Sequence, residues 1–213
     1  MTTTADKPRP RFARMYVRAA RTAEERGATD HRRRLLAGLH GTVFELGAGH
    51  GLNFPHYPSA VAEVIAVEPE PNLRAKAAEA AESAPVPVRV LPGTADELPL
   101  ADASVDAAVA SLVLCSVPDQ AHALAELRRV LKPGGELRFY EHVVANCQPK
   151  RLFLQALDGS GIWPRIAGGC HAARDTGAAI ERAGFTIESS ERLQFKAAAF
   201  QPKIPHILGI ARR

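Results

Sequence analysis

Residues 42–54 read TVFELGAGHGLNF, an apolar run that passes directly into three glycines at every second position. The first five residues are typical of a buried strand, and Gly47, Gly49 and Gly51 follow them. Glycine loses more conformational freedom on folding than any other residue, so this cluster indicates a tight turn, the close approach of a ligand, or both. An ordinary turn between a strand and a loop explains the glycines equally well, so the rest of the chain has to decide.

Strand-like runs recur along the chain and alternate with stretches that favour helix. They lie at residues 42–46, 64–68, 88–91, 105–114, 136–143, 186–195 and roughly 203–211. Such an alternation implies crossover connections and a mostly parallel sheet. The pattern does not establish the order of the last two strands.

The length and charge of the chain limit its organisation. With 213 residues, of which 46% are apolar, it is sufficient for one well-buried α/β domain and too short for two large ones. The net charge of +4 is uneven, because residues 1–40 hold ten Lys and Arg against four Asp and Glu, whereas the remainder holds seventeen against nineteen. We therefore divide the chain into a basic N-terminal arm, residues 1–40, and a larger domain, residues 41–213.

The arm has Phe12, Met15, Tyr16 and Ala19 at helical spacing, with arginines on its other faces. This pattern predicts a helix that closes as a lid over a bound ligand. A basic patch for a membrane surface or for RNA is the alternative, although the sequence offers RNA no aromatic platform and no recognisable binding module. We expect no nucleic-acid partner, and the oligomeric state is not predicted.

Several protein classes are excluded by what the sequence lacks. It holds no apolar segment of signal-peptide or membrane-spanning length, so we expect a soluble, cytoplasmic protein without a transmembrane segment. The chain has three cysteines, Cys115, Cys147 and Cys170. Their odd number and the absence of paired spacing favour reduced thiols over a disulfide framework. Because no CxxC pair is present, we expect no metal site.

Two acidic residues indicate what kind of ligand the glycine cluster would bind. Glu68 closes the second strand-like run, 19 residues after Gly49, where a carboxylate can accept both hydroxyls of a ribose. A nicotinamide dehydrogenase would usually show G-x-G-x-x-G, and a carboxylate at Glu45 would repel a pyrophosphate. Glu45 therefore favours a ligand with a cationic portion, such as an ammonium or a sulfonium.

Four consecutive motifs carry a family resemblance. ELGAGHG at 45–51, AVEPE at 66–70, GTADELPLADASVDAAVASLVLCSV at 93–117 and LRRVLKPGGELRFYEHV at 127–143 resemble those of class I S-adenosylmethionine-dependent methyltransferases. The resemblance implies a seven-stranded, mostly parallel, doubly wound, Rossmann-like sheet whose last strand is antiparallel. It also implies that S-adenosylmethionine binds across the ends of the first, second and fourth strands and leaves as S-adenosylhomocysteine.

The same resemblance implies the cofactor-binding residues. Transferred position by position, they are Tyr16, Glu45, Gly47, Ala48, Gly49, Gly51, Asn53, Glu68, Pro69, Thr94, Ala95, Asp96, Ser111 and Leu112. Glu68 would bind the ribose hydroxyls, and Tyr16 would contact the methionine carboxylate. Many relatives have GDAE at 93–96, where this chain has GTAD, so either the Asp96 side chain or a backbone carbonyl would face the adenine amine.

A second resemblance concerns the methyl acceptor. LVLCSV, EHV, LQALD, GGCHAARDT, ERAGF and KIPHILGIA are similar, in order and spacing, to segments of the methyltransferase-like alkyl thiol S-methyltransferases. This implies direct, in-line methyl transfer to a small-molecule thiol. The alternative acceptors are oxygen, nitrogen or carbon atoms of a natural product, a quinone or a phospholipid headgroup. Animal members carry a hydrophobic N-terminal anchor that this sequence does not show, so membrane residence is not expected.

Four residues are candidates for the acceptor side of the site. His142, after the fifth strand, is either a proton acceptor or thiolate stabiliser, or a structural histidine bonded to a neighbouring group. His171 is a second candidate for the same role. Trp163 and Cys170 are candidate substrate contacts, and packing under a loop is the alternative for Trp163.

Overall fold

The computed structural model describes residues 8–161, 165, 168–199 and 203–213. These residues form one seven-stranded sheet flanked by helices. The strands are β1 (Gly41–Leu46), β2 (Val61–Val67), β3 (Val88–Leu91), β4 (Val105–Ser111), β5 (Leu131–His142), β6 (Thr186–Phe195) and β7 (Ile204–Arg212). The helices are α1 (Pro10–Glu24), α2 (Ala28–Leu36), α3 (Pro71–Ala81), α4 (Gln120–Val130), α5 (Gln148–Gly159) and α6 (Thr176–Arg182), with a short 3₁₀ helix at Phe54–His56.

The strand order is β3-β2-β1-β4-β5-β7-β6, and β7 is antiparallel to both of its neighbours. The other pairs, from β3 to β5, are parallel. Apolarity explains the order of the last two strands, which the pattern left open. The polar strand β6 is largely exposed at the edge, whereas the apolar strand β7 is largely buried inside the sheet. The predicted seven-stranded, mostly parallel sheet is confirmed.

Helices cover both faces of the sheet because the side chains of its strands alternate between the two faces. One core cluster joins α2 and α3 to Val43 and Val64, and the other joins α4 and α6 to Phe44 and Ile65. All four of these strand residues are at most 4% exposed. The doubly wound arrangement predicted from the resemblance is therefore confirmed.

The fourth strand is shorter than the sequence predicts. It ends at Ser111 instead of continuing to Leu114, because Leu112 has a left-handed backbone with φ of 58°. The chain leaves the sheet there, and the backbone N–H groups of the next three residues bond to a side chain instead of a strand. The second strand also differs, since it begins at Val61 instead of Val64.

The N-terminal arm contributes to the core of the protein. Leu35 and Leu36 of α2, with Leu39 after it, are at most 1% exposed and pack with β1 and β2. The arm after residue 27 therefore shares one core with the sheet, while the division at residue 40 and the lid role of α1 stay predictions. Within the described ranges, no helix combines the length and apolarity that crossing a bilayer requires.

Candidate active site

A cavity of about 390 Å³ opens at the carboxyl ends of β1, β2 and β4, beside α1. Its volume lies within the range of roughly 300–1,000 Å³ typical of small-molecule sites, and open α/β sheets bind ligands at this edge. The predicted cofactor contacts that line it are Tyr16, Gly47, Gly49, Glu68, Pro69, Thr94, Ala95, Asp96 and Leu112. The structure brings these residues together, and their contact with a cofactor stays a prediction.

The positions after β1 require glycine for two reasons: their backbone conformation and their close packing. Gly47, Gly49 and Gly51 all have positive φ, between 58° and 84°, which residues with a side chain rarely adopt. A Cβ at Gly47 would lie 2.6 Å from Val113, and one at Gly49 would lie 3.0 Å from the hydroxyl of Tyr16. The tight turn predicted for this stretch therefore occurs together with close packing of protein side chains, and the close approach of a ligand stays a prediction.

A buried polar layer lies beneath the glycine turn. Glu45 accepts hydrogen bonds from Asn53 Nδ2 at 2.8 Å and from the Tyr57 hydroxyl at 2.7 Å. Arg32 donates to Asn53 Oδ1 at 2.9 Å and to Ser111 Oγ at 3.4 Å, and its Nε pairs with Glu24 at 2.9 Å. This layer links α1 and α2 to the end of β4.

Five of the predicted cofactor residues are not among the described residues that line the cavity: Glu45, Ala48, Gly51, Asn53 and Ser111. Glu45, Asn53 and Ser111 belong to the buried layer, and a Cβ at Gly51 would lie 2.8 Å from Ala80 and from Phe54. Arg32 organises the layer, yet sequence reasoning missed it. It lies in a run of three arginines, and only its 8% exposure, which requires the structure, sets it apart from its neighbours.

Glu68 lines the cavity and keeps part of its capacity to accept hydrogen bonds. Its Oε2 accepts the N–H of Gly49 at 2.8 Å, and its Oε1 accepts the N–H of Glu70 at 2.9 Å. Since a carboxylate has about four lone-pair positions, one remains on each oxygen. Burial raises the pKa of Glu68 to about 7, against the opposing effect of the two backbone hydrogen bonds. Burial likewise raises the pKa of Glu45 to about 7.

The far end of the cavity is formed by residues 93–96. The backbone carbonyl of Asp96 is engaged by His122 Nε2 at 2.6 Å, while Thr94 Oγ1 lies 3.3 Å from Asp96 Oδ2. Ala95 is buried and Asp96 is exposed. At Asp96 the carboxylate is therefore more available than the carbonyl, and the choice between the Asp96 side chain and a backbone carbonyl for the adenine amine stays a prediction.

Helix α1 forms one wall of the cavity through Phe12 and Tyr16, together with Arg9, which directly precedes the helix. The N–H of Arg9 donates to Glu70 Oε1 at 2.8 Å, and the Arg9 guanidinium stacks 4.7 Å from the centre of the Phe12 ring. Burial raises the pKa of the Tyr16 phenol, so it stays protonated near neutrality. Sequence reasoning did not assign Arg9, Phe12 or Glu70 to the site, although the helical spacing of Phe12 and Tyr16 placed both on one face.

A cluster of two cysteines and a histidine lies beside the cavity. Cys170 Sγ is 3.2 Å and Cys115 Sγ is 3.5 Å from His142 Nδ1, and the two sulfur atoms are 3.6 Å apart. The thiol of Cys170, followed by burial, raises the pKa of Cys115 well above its ordinary value. Burial opposes protonation of His142, but Cys170 and then Glu141 outweigh it and raise the pKa of His142.

The candidate acceptor residues differ in their positions. His142 is not among the described residues that line the cavity, and its ring packs 4.5 Å from that of His206. His171 Nδ1 lies 3.9 Å from Asp158, and its backbone N–H donates to the carbonyl of Cys115 at 2.7 Å. Cys170 is buried beside His142. Trp163 lies outside the described residues.

The loop after β4 is held from two sides. The buried carboxylate of Glu141 accepts the backbone N–H groups of Val113, Leu114 and Cys115 at 2.9–3.1 Å. Arg174 donates to the carbonyls of Leu114 and Val117 at 2.8 and 2.7 Å. These bonds fix the loop that supplies Val113, Ser116 and Val117 to the cavity.

Comparisons with known proteins agree with this geometry. A family model described as a methyltransferase domain matches residues 44–139, which run from β1 into β5. Thiol S-methyltransferase TMT1B of Mus musculus is 39% identical over 183 residues, which cover 83% of this chain and 73% of that protein. Thiol S-methyltransferase TMT1A of Homo sapiens is 36% identical over 174 residues, with coverages of 80% and 70%.

A solved structure shares the fold at lower identity. It is an S-adenosylmethionine-dependent methyltransferase from Thermotoga maritima, with a TM-score of 0.69 and 22% identity, covering 95% of this chain and 96% of that one. The fold, the cavity at the ends of β1, β2 and β4, and the identity to the curated relatives all agree. The chain belongs to the S-adenosylmethionine-dependent methyltransferases, in the family that contains the thiol S-methyltransferases.

Proposed function

We propose that this methyltransferase methylates the sulfur atom of a small-molecule thiol and that S-adenosylmethionine occupies the 390 Å³ cavity. The relatives that are 36–39% identical over most of the chain are thiol S-methyltransferases. The observation that carries the cofactor part of the proposal is the buried Glu68 carboxylate, which lines the cavity and accepts only one of the described hydrogen bonds on each oxygen. When bound, S-adenosylmethionine supplies a methyl group on a positively charged sulfur.

Different residues of the cavity contact the ribose, the adenine and the methionine portion of the cofactor. Glu68 accepts the ribose hydroxyls, and the Asp96 carboxylate accepts the adenine amine beside Ala95. The backbone of Gly47 and Gly49, which lines the cavity, lies against the methionine portion, and the protonated Tyr16 phenol donates to its carboxylate. The polar layer around Glu45 holds the turn in shape and adds negative charge below the cationic portion.

The acceptor side of the cavity is suited to an uncharged or weakly ionised small molecule. Phe12, Val113, Val117 and Pro118 give this side an apolar surface. A thiol has a free pKa of roughly 8.5, so a usable fraction is thiolate near neutrality without a strong base. Most of the rate acceleration then comes from holding the acceptor in line with the methyl group and from excluding water.

A comparison of matched thiol and hydroxyl acceptors tests the acceptor class. With saturating S-adenosylmethionine, we expect mass spectrometry to detect the methyl thioether and little or no methyl ether. We expect the rate to increase with pH as the thiolate fraction grows, with acceptors of lower pKa reaching their plateau at lower pH. Methylation of the hydroxyl compound alone would contradict the thiol assignment, while the methyltransferase assignment would stand.

The affinity for S-adenosylmethionine is expected to fall when the pH is lowered from about 7.5 to about 6, measured by calorimetry. The pKa of Glu68 is about 7 in the folded protein, so protonation in this window removes a hydroxyl acceptor. The window lies below the ordinary pKa of an α-amino group, roughly 7.7–8.0, which limits titration of the cofactor itself. The Glu68→Gln variant should show a smaller fall, and what remains would come from Glu45, whose pKa is also about 7. An equal fall in that variant would assign the effect to another group, such as Glu45.

A further inference from the structure

We propose that Cys115, His142 and Cys170 bind one Zn²⁺ ion and that its fourth coordination position takes the sulfur of the methyl acceptor. The second half of this proposal rests on the proposed thiol substrate. Sequence reasoning expected no metal site because the cysteines form no CxxC pair. The fold nevertheless joins two cysteines that are 55 positions apart with a histidine from the end of β5.

The spacing of the three ligand atoms matches a tetrahedral zinc site. Zinc binds sulfur at about 2.3 Å and nitrogen at about 2.0–2.1 Å, so tetrahedral geometry separates two sulfurs by roughly 3.8 Å and a sulfur from a nitrogen by roughly 3.6 Å. The observed separations are 3.6 Å between the sulfurs of Cys115 and Cys170, and 3.5 and 3.2 Å from these sulfurs to His142 Nδ1. Shifts of a few tenths of an ångström would complete the geometry.

The surrounding protein fixes the three ligands in position. The N–H of Cys115 donates to Glu141 at 3.1 Å, and the N–H of His171, next to Cys170, donates to the carbonyl of Cys115 at 2.7 Å. The ring of His142 packs against His206. The site is therefore largely formed without an ion, and binding would need little rearrangement of the chain.

The chemistry of the ligand set favours zinc. Two buried thiols and an imidazole present soft and borderline donors, which select zinc over Mg²⁺ or Ca²⁺. Two thiolates would neutralise the charge of one Zn²⁺ ion, so the buried site would carry little net charge apart from the nearby Glu141. Sites with two cysteines, one histidine and an open fourth position are known among catalytic zinc centres.

Two residues next to the cluster line the cavity, so we place the open position on that side. Ser116, whose Oγ lies 3.6 Å from Cys115 Sγ, lines the cavity, and so does Gly168, two residues before Cys170. Among the described residues, no fourth His, Cys, Asp or Glu belongs to the cluster. A thiol that binds there loses its proton to solvent. Its sulfur then forms a bond to the methyl carbon as the bond between that carbon and the sulfonium breaks, leaving a methyl thioether and a neutral thioether product.

Cobalt substitution tests the ion site without an activity assay. The 213-residue protein, freed of metal and kept reduced with a phosphine, is titrated with Co²⁺ and then with Zn²⁺. We expect one Co²⁺ per chain, an absorption band from thiolate-to-cobalt charge transfer, and loss of the band when Zn²⁺ displaces cobalt. Absence of that band in the native protein, with folding verified by circular dichroism, would overturn the site.

Serine variants identify the ligands. Cys115→Ser and Cys170→Ser should each weaken Zn²⁺ binding by more than the roughly 10- to 100-fold that loss of an outer-shell partner costs. The matched control is Cys147→Ser, because Cys147 is an exposed free cysteine outside the cluster. Unchanged Zn²⁺ affinity in the double variant of Cys115 and Cys170, or loss of binding in the Cys147 variant alone, would contradict the ligand assignment.

A small monothiol distinguishes the two halves of the proposal. Adding 2-mercaptoethanol to the cobalt protein should increase the charge-transfer absorption, whereas ethylene glycol should not. An unchanged spectrum at saturating thiol would overturn the acceptor role. If the spectrum responds but no thiol is methylated, the proposed function fails while the zinc site and its open position stand.

Discussion

Removal of residues 1–20 is expected to lower methyl transfer by about a hundredfold or more, because the deletion opens one wall of the site to solvent. Arg9, Phe12 and Tyr16, which line the cavity, are lost. Glu24 is kept because it pairs with the buried Arg32, and an unpaired charge there would destabilise the fold. The measurement is kcat/KM with S-adenosylmethionine and a thiol, alongside circular dichroism of the truncated protein.

Point variants separate a lid from a helix that only stabilises the fold. Tyr16→Ala and Phe12→Ala should each reduce kcat/KM with little change in the midpoint of thermal unfolding. Met15→Ala is the matched control, because Met15 lies on the same helix and is 51% exposed. Full activity of a folded truncated protein would refute the lid. Salt-sensitive vesicle binding that disappears on truncation would support the membrane-surface alternative for the arm.

Replacement of Glu68 by alanine is expected to weaken S-adenosylmethionine binding by about 1.5–3 kcal/mol, or roughly 10- to 150-fold. This is the loss expected for hydrogen bonds to a charged group. The change also leaves the N–H groups of Gly49 and Glu70 without their acceptor. Calorimetry with S-adenosylhomocysteine, which lacks the sulfonium charge, reports the hydroxyl contacts separately from the cationic portion.

Two further variants make the Glu68 experiment specific. Glu68→Gln keeps an acceptor oxygen and should lose less affinity than the alanine variant. Glu79→Ala removes an exposed carboxylate on α3 and should bind as the native protein does. Native affinity in the alanine variant would remove Glu68 from the site, and a preference for NAD would contradict the cofactor assignment.

The cofactor side of the site could be predicted from the sequence because its signals are local. The turn from Gly47 to Gly51 follows its strand directly, and Glu68 comes directly after the next strand. In a parallel sheet both strand ends meet at one edge, so the sequence positions determine the spatial relation. Nine of the predicted cofactor residues accordingly line one cavity.

The remaining features depend on contacts between distant segments. Of three consecutive arginines, Arg32 is the buried one because it binds Asn53 and Glu24. The sequence does not link either of these residues to Arg32. The end of β4 depends on the backbone at Leu112 and on hydrogen bonds that the following residues donate to Glu141, 26–28 positions away. The cluster of cysteines and histidine likewise forms only through the packing of three separate segments.

The hydrogen bonds of Glu141 bear on how acceptor preference can diverge among proteins of this family. The carboxylate accepts the backbone N–H groups of residues 113–115, and at position 113 every residue except proline supplies that donor. The side chain of Val113 lines the cavity, and the hydrogen bond that holds its loop does not depend on that side chain. Evolution or laboratory selection can alter the acceptor pocket there while the backbone that carries it stays in place.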